Sequence, residues 1–139
     1  MPEFTLDRGS PAASKAFTEL PSFVQGYIEA MFFTDTGYAE NGDLEHATVA
    51  ELAPEYMAKI EADCAAFMKQ ADALLQKAYA EHPYEEVQAG RDFWFTRCGH
   101  GVGFWDRGLG DVGDKLSDAC KEFGNVDIYR GGDGLIYGD

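Results

Sequence analysis

Asp92-Phe-Trp-Phe-Thr-Arg-Cys-Gly-His-Gly-Val-Gly-Phe-Trp-Asp-Arg-Gly-Leu-Gly110 combines more apolar bulk with more polar groups than any other segment of the chain. It holds both tryptophans of the chain and a histidine, His100, flanked by glycines. Arg97, Cys98, Asp106 and Arg107 lie close by in sequence. Phe93 to Arg97 is aromatic and strand-prone, and Val102 to Trp105 is a second short run of the same kind. Gly99-His-Gly101 between them has the composition of a tight turn, in which glycine supplies positive φ. The stretch therefore predicts a β-hairpin with His100 at its tip. Trp94 and Trp105 then face each other across the strands, or at least one of them is buried in the core.

Downstream, Asp111 predicts the cap of a helix with Val112, Leu116, Ala119, Cys120 and Phe123 on its apolar face and Gly124 as its stop. Val126-Asp-Ile-Tyr129 and Leu135-Ile-Tyr137, joined by Gly131-Gly-Asp-Gly134, predict a second hairpin. Residues 90–139 thus read as ββαββ, a four-stranded antiparallel sheet with one face to bury.

Upstream, Thr18 and Pro21 open a helix striped by Phe23, Tyr27 and Met31, and Thr34-Asp-Thr-Gly37 ends it. Gly26 weakens that helix by up to about 1 kcal/mol relative to alanine, which points to close packing there. An acidic loop covers 38–48, and Thr48 to Glu51 has capping-box spacing. Met57, Ile60, Cys64, Phe67, Ala71, Leu74 and Ala78 form a heptad-like seam on a long helix from Pro54 to Glu81, stopped by His82-Pro83. That seam packs on the domain core or, alternatively, on a second copy as a coiled coil. The reading is one α+β domain over 1–139: an arm at 1–17, a helical part at 18–82 with two helices, one of them long, and the ββαββ part at 90–139.

At 139 residues and 45% apolar content the chain can bury a core. It has no apolar run long enough for a transmembrane helix, and its start lacks the apolar region of a signal peptide. Three cysteines, Cys64, Cys98 and Cys120, fit free thiols in a reducing cytoplasm. A net charge of −14 argues against direct binding to nucleic acid or to an anionic membrane. The charge is concentrated between Asp35 and Asp63, where Asp35, Glu40, Asp43, Glu45, Glu51, Glu55, Glu61 and Asp63 stand against Lys59 alone. Such a run is either a solvated face or a surface that steers a basic groove of a partner. Asp35, Glu40, Asp43, Glu45, Glu51 and Glu55 are the residues assigned to that surface.

The candidate binding residues are Arg97, His100, Trp105, Asp106 and Arg107. A histidine between glycines is accessible and conformationally special, and the two arginines could hold an anion. No second histidine or nucleophile motif accompanies them, so no catalytic residue is assigned. Cys98-x-His100 has none of the usual zinc spacings, and no metal or other cofactor is expected. The Gly99-x-Gly101-x-Gly103 run lacks the strand–turn–helix context of a phosphate loop.

The aromatic stretch, together with Gly113-Asp-Lys-Leu, the closing Val126-Asp-Ile-Tyr and Gly132-Asp-Gly-Leu-Ile-Tyr, Phe23-Val-Gln-Gly-Tyr-Ile-Glu-Ala and Ala62-Asp-Cys-Ala-Ala-Phe, resembles a group of small proteins recurring in tailed-bacteriophage genomes. Members usually carry asparagine at the position of Cys98, which argues against a required thiol. The resemblance spans most of 20–137 and carries over no catalytic role. It implies a phage accessory protein in the cytoplasm of an infected bacterium. The expectation is a non-enzymatic protein that binds and modulates or inhibits a host protein with a basic surface, such as a defence or nucleic-acid-handling complex. The alternative is a small-molecule or nucleotide-binding module, or an enzyme, built on Arg97, His100, Asp106 and Arg107; a homodimer is a third reading.

Overall fold

The computed structural model describes residues 17–35 and 48–138. The arm up to residue 16, residues 36–47 of the acidic loop, and Asp139 lie outside the described residues. The described chain contains five α-helices and one two-stranded antiparallel sheet, an α+β architecture in which helix dominates. In order these are α1 (Ser22–Asp35), α2 (Pro54–Gln70), α3 (Asp72–Glu81), α4 (Glu86–Arg97), α5 (Asp111–Cys120), β1 (Ile128–Arg130) and β2 (Ile136–Gly138). None of the described helices is long and apolar enough to cross a membrane.

The first expected hairpin is instead a helix and its stop, so the ββαββ arrangement gives way to a single hairpin after α5. Ala89, Gly90, Asp92, Phe93, Trp94 and Arg97 of α4 are buried, and Ala89, Phe93 and Arg97 step along it at helical spacing. Strand propensity is worth at most about 1 kcal/mol and largely reflects packing, so burial of a large aromatic face outweighs it. Glu86 in the first turn and Arg97 in the last suit the helix dipole. The glycine that looked like a hairpin tip ends the helix. Gly99 has φ 72° and donates its N–H to Thr96 O, while the N–H of His100 reaches back to Phe95 O. Those two bonds form a Schellman stop, in which glycine tolerates the left-handed residue after the helix.

α4 lies against α1 through a reciprocal glycine contact. A Cβ on Gly26 would collide with the carbonyl oxygen of Val87, and one on Gly90 with that of Phe23. The close packing expected at Gly26 is present, and Gly90 supplies its other half. With the backbones in contact, Phe23 and Tyr27 reach Phe93 at ring-centroid distances of 5.9 and 5.5 Å. Tyr27 meets Trp94 edge-on at 5.4 Å. From the other side Phe67 of α2 stacks on Phe93 at 4.4 Å. The Trp94 indole donates to Thr34 Oγ1 (2.9 Å), so a fully buried tryptophan keeps its polar atom satisfied.

The single long helix expected over 54–81 is two helices broken at Ala71, whose φ and ψ are −103° and 16°. Ile60, Cys64, Phe67 and Ala71 are buried as expected, but the next buried positions are Leu75 and Ala78, with Leu74 only half-buried. The buried stripe Ile60, Cys64, Phe67, Ala71, Leu75 and Ala78 keeps helical spacing across the break, with Met57, like Leu74, half-buried. The seam is spent on the chain's own core, so the coiled-coil reading fails. The turn before α2 is as expected: Thr48 N–H donates to Glu51 Oε1 at 2.9 Å.

The C-terminal hairpin pairs Tyr129 with Tyr137. Its second strand bridges to Leu52, and Ala53 N–H donates to Ile136 O at 2.9 Å.

Replacing Gly26 or Gly90 by alanine is expected to destabilise the fold by about 1–3 kcal/mol through overpacking. An exposed helical glycine would respond oppositely, gaining up to about 1 kcal/mol. Urea denaturation of each variant distinguishes the two, and a stabilised variant would refute the close crossing.

Candidate functional site

The sequence places Arg97, His100, Trp105, Asp106 and Arg107 together, but the fold separates their roles. Arg97, on the last turn of α4, is 8% exposed. Its guanidinium donates to Asp63 Oδ2 (2.9 Å), Tyr27 Oη (3.2 Å), Phe123 O (2.7 Å) and Gly124 O (2.8 Å). It also lies 5.3 Å from the Phe93 ring centroid. One side chain thus ties α1, α2 and the turn after α5 to α4, and its planar fork suits this multiple use.

Arg107 is committed to a second internal pair. Its Nε and Nη2 grip Asp92, with Nη2 at 2.8 Å from Oδ1 and Nε at 3.0 Å. Asp92 is fully buried and also accepts from Tyr84 Oη at 2.5 Å and Gln88 Nε2 at 3.2 Å. A buried carboxylate is tolerable only when paired and hydrogen-bonded in this way. Burial, followed by the adjacent Asp92 charge and hydrogen bond, pushes the Tyr84 phenol far above its ordinary value. Tyr84 therefore stays a proton donor to the carboxylate. This cluster locks the loop after α4 to the helix and leaves neither arginine available as an anion receptor.

His100 is half-buried beside its own helix end, with its ring 6.1 Å from that of Phe95 and 6.5 Å from that of Trp94. Trp105 and Asp106 are exposed. The two tryptophans do not form a cross-strand pair, because Trp94 is in the core while Trp105 is 46% exposed. A groove of about 360 Å³ lies beside Trp105, lined by Thr96, Arg97, Ser117, Cys120, Lys121 and Gly124. Of the five candidates, it brings only Arg97 and Trp105 together. Among the described residues no group of His, Cys, Asp and Glu is arranged to hold a metal ion.

The assigned acidic surface is partly visible. Glu40, Asp43 and Glu45, and the side chain of Asp35, lie outside what the structure describes. Glu55 is exposed, whereas Glu51 accepts from Arg130 Nη1 at 3.2 Å. Asp63, counted in sequence only as part of the acidic run, and Tyr84 and Gln88, given no role there, complete the two arginine clusters. The i, i+4 spacing of Gln88 and Asp92 was a usable signal once 86–97 is taken as helix. Nothing local in sequence joins Arg97 to Asp63.

Comparison of the chain with protein-family models, curated proteins and solved structures gave no match.

Arg107→Met would leave the Asp92 carboxylate buried without its charge partner, at an expected cost of about 3–5 kcal/mol in urea unfolding. Adding Asp92→Asn should recover part of that loss, and purely additive losses would argue against direct coupling.

Alkaline pH should also erode stability. Burial pushes the Cys120 thiol from 9.0 up to about 12, and raises Cys64 and the Tyr27 phenol as well. Below about pH 9 both folded and unfolded chains hold the thiol protons. Above it the unfolded chain releases them first, so stability falls as pH rises, by about 1.4 kcal/mol per pH unit for each group within its window. For Cys120 that window runs from 9.0 to about 12. Unfolding midpoints that stay flat between about pH 8 and pH 11 would contradict these burial effects.

Proposed function

We propose that this chain is a non-enzymatic accessory protein that binds and modulates or inhibits a host protein through acidic surface. One observation carries the reading. Every arginine among the described residues has an internal acidic partner: Arg91 with Glu29, Arg97 with Asp63, Arg107 with Asp92 and Arg130 with Glu51. The guanidinium groups are thereby paired within the chain, two of them near the surface, while Glu55, Asp72, Glu81, Glu85, Asp111, Asp114, Glu122 and Asp127 face solvent. A chain of net charge −14 that disposes of its arginines in this way favours a basic partner and repels nucleic acid and anionic lipid. The same pairing deprives the small-molecule reading of its two anion-binding cations. A tailed-phage origin, and with it the cytoplasm of the infected bacterium as the place of action, rests on the sequence resemblance. Defence and nucleic-acid-handling complexes are the host targets whose basic grooves suit such a surface.

The test is a pull-down from host lysate with tagged protein, beside a variant carrying Asp35→Asn, Glu40→Gln, Asp43→Asn and Glu55→Gln. Glu51 is left intact because Arg130 depends on it. A specific host protein should be retained at about 0.1 M salt and released near 1 M, where the Debye length falls from about 10 to about 3 Å. The neutralised variant should lose it at low salt. A partner indifferent to both salt and the substitutions would sink the proposal.

A further inference from the structure

Phe33 is the most exposed large hydrophobic side chain among the described residues, at 73%. It projects from the last turns of α1 beside a groove of about 360 Å³, lined also by Glu29, Ala30, Arg91 and Phe95 of α1 and α4. A protruding phenylalanine and an apolar recess therefore share one face. Among the described residues, the lining of that groove carries one ion pair: Arg91 donates to Glu29 Oε1 from Nη2 at 2.9 Å and from Nε at 3.2 Å. Both partners of that pair are well exposed, 37% for Arg91 and 44% for Glu29.

We propose that this α1/α4 face is a two-fold homodimer interface, with Phe33 of each copy seated in the other copy's groove and Glu29 of each facing Arg91 of the other. A two-fold contact uses one patch twice, so that patch must be complementary to itself. A knob beside a recess meets this requirement in shape. One positive and one negative side chain meet it in charge, because the two-fold brings opposite members together. Charge also explains why a second copy is favoured here over a basic partner. Two chains of net charge −14 repel wherever their acidic surfaces meet, so they can associate only through a face whose charges cancel. A basic partner gains nothing from a neutral face and is drawn to the acids elsewhere. The inference stands apart from the host-partner reading, since Glu29, Phe33 and Arg91 are not among the acids proposed for that partner.

Sedimentation equilibrium of the full chain is the measurement. The unmodified protein should dimerise, and Phe33→Ser should weaken dimerisation by at least about thirtyfold, as loss of a central aromatic anchor does. Phe33 is exposed, so the variant should keep the helical circular dichroism of the parent. Glu29→Arg and Arg91→Glu should each be monomeric alone, since each confronts its own copy with like charges. Mixed in equal amounts they should form a heterodimer. That rescue cannot come from restoring the internal pair, because each chain still carries two like charges. An unmodified protein that is monomeric at about 1 mM overturns the proposal. A Phe33→Ser variant that dimerises as the parent does, or a mixture that stays monomeric, overturns it too.

Discussion

The close crossing of α1 and α4 is the constraint on which the rest of the molecule depends. Gly26 sits against the backbone of Val87, and Gly90 against that of Phe23, so each helix uses a missing side chain to admit the other's carbonyl. The cost is the low helix propensity of glycine, about 1 kcal/mol at each position. The return is tight contact along two aromatic helices. It seats Phe23, Tyr27, Phe93 and Trp94 among one another and leaves Phe67 to close the cluster from α2. Without that approach the rings would stand apart and the face of α4 that made it look like a strand would have nothing to pack on.

Two buried charge clusters build on this frame. Asp92 and Arg97 face different neighbours from one helix; Arg97 takes its partners from distant sequence, and Asp92 takes Arg107 from the loop beyond and Tyr84 and Gln88 from nearby. Ion pairs of this kind yield little net stability, because desolvation offsets most of the attraction. Their effect is positional. Removing one partner exposes the full desolvation cost of the other, so the loop carrying Arg107 and the turn at Phe123 and Gly124 are held where the arginines need them. Arg97 and Arg107, which suggested a binding site in sequence, thus hold elements together.

The parts of the fold legible in sequence were those set by local pattern. The heptad-like seam placed Ile60, Cys64, Phe67 and Ala71 in the core, and glycine-rich punctuation placed the last hairpin. The 92–107 stretch was misread because aromatic residues suit a strand and a buried helix alike; only the partner surface decides between them. The Schellman stop at Gly99 and His100 was the available local clue, since glycine after a run ending in arginine marks a helix end as well as a turn. The site was less legible still. Whether Arg97 and Arg107 face a ligand or a carboxylate depends on Asp63 and Asp92, and the 97–63 pairing crosses two helices with no trace in spacing.

The same pairing separates charge from fold in a way that bears on function. Arginine's planar fork suits a fixed carboxylate, while lysine's point charge stays hydrated on a flexible stem. This protein largely follows that division, with its described arginines in ion pairs and Lys59, Lys69, Lys77 and Lys115 exposed; Lys121, also exposed, pairs with Asp118 three residues before it. The acids divide in parallel. Asp63, Asp92 and Glu51 serve the fold through their arginines, whereas an acid such as Glu55 faces water. Surface charge can therefore change during evolution without unsettling the core, provided the changes fall on the second group.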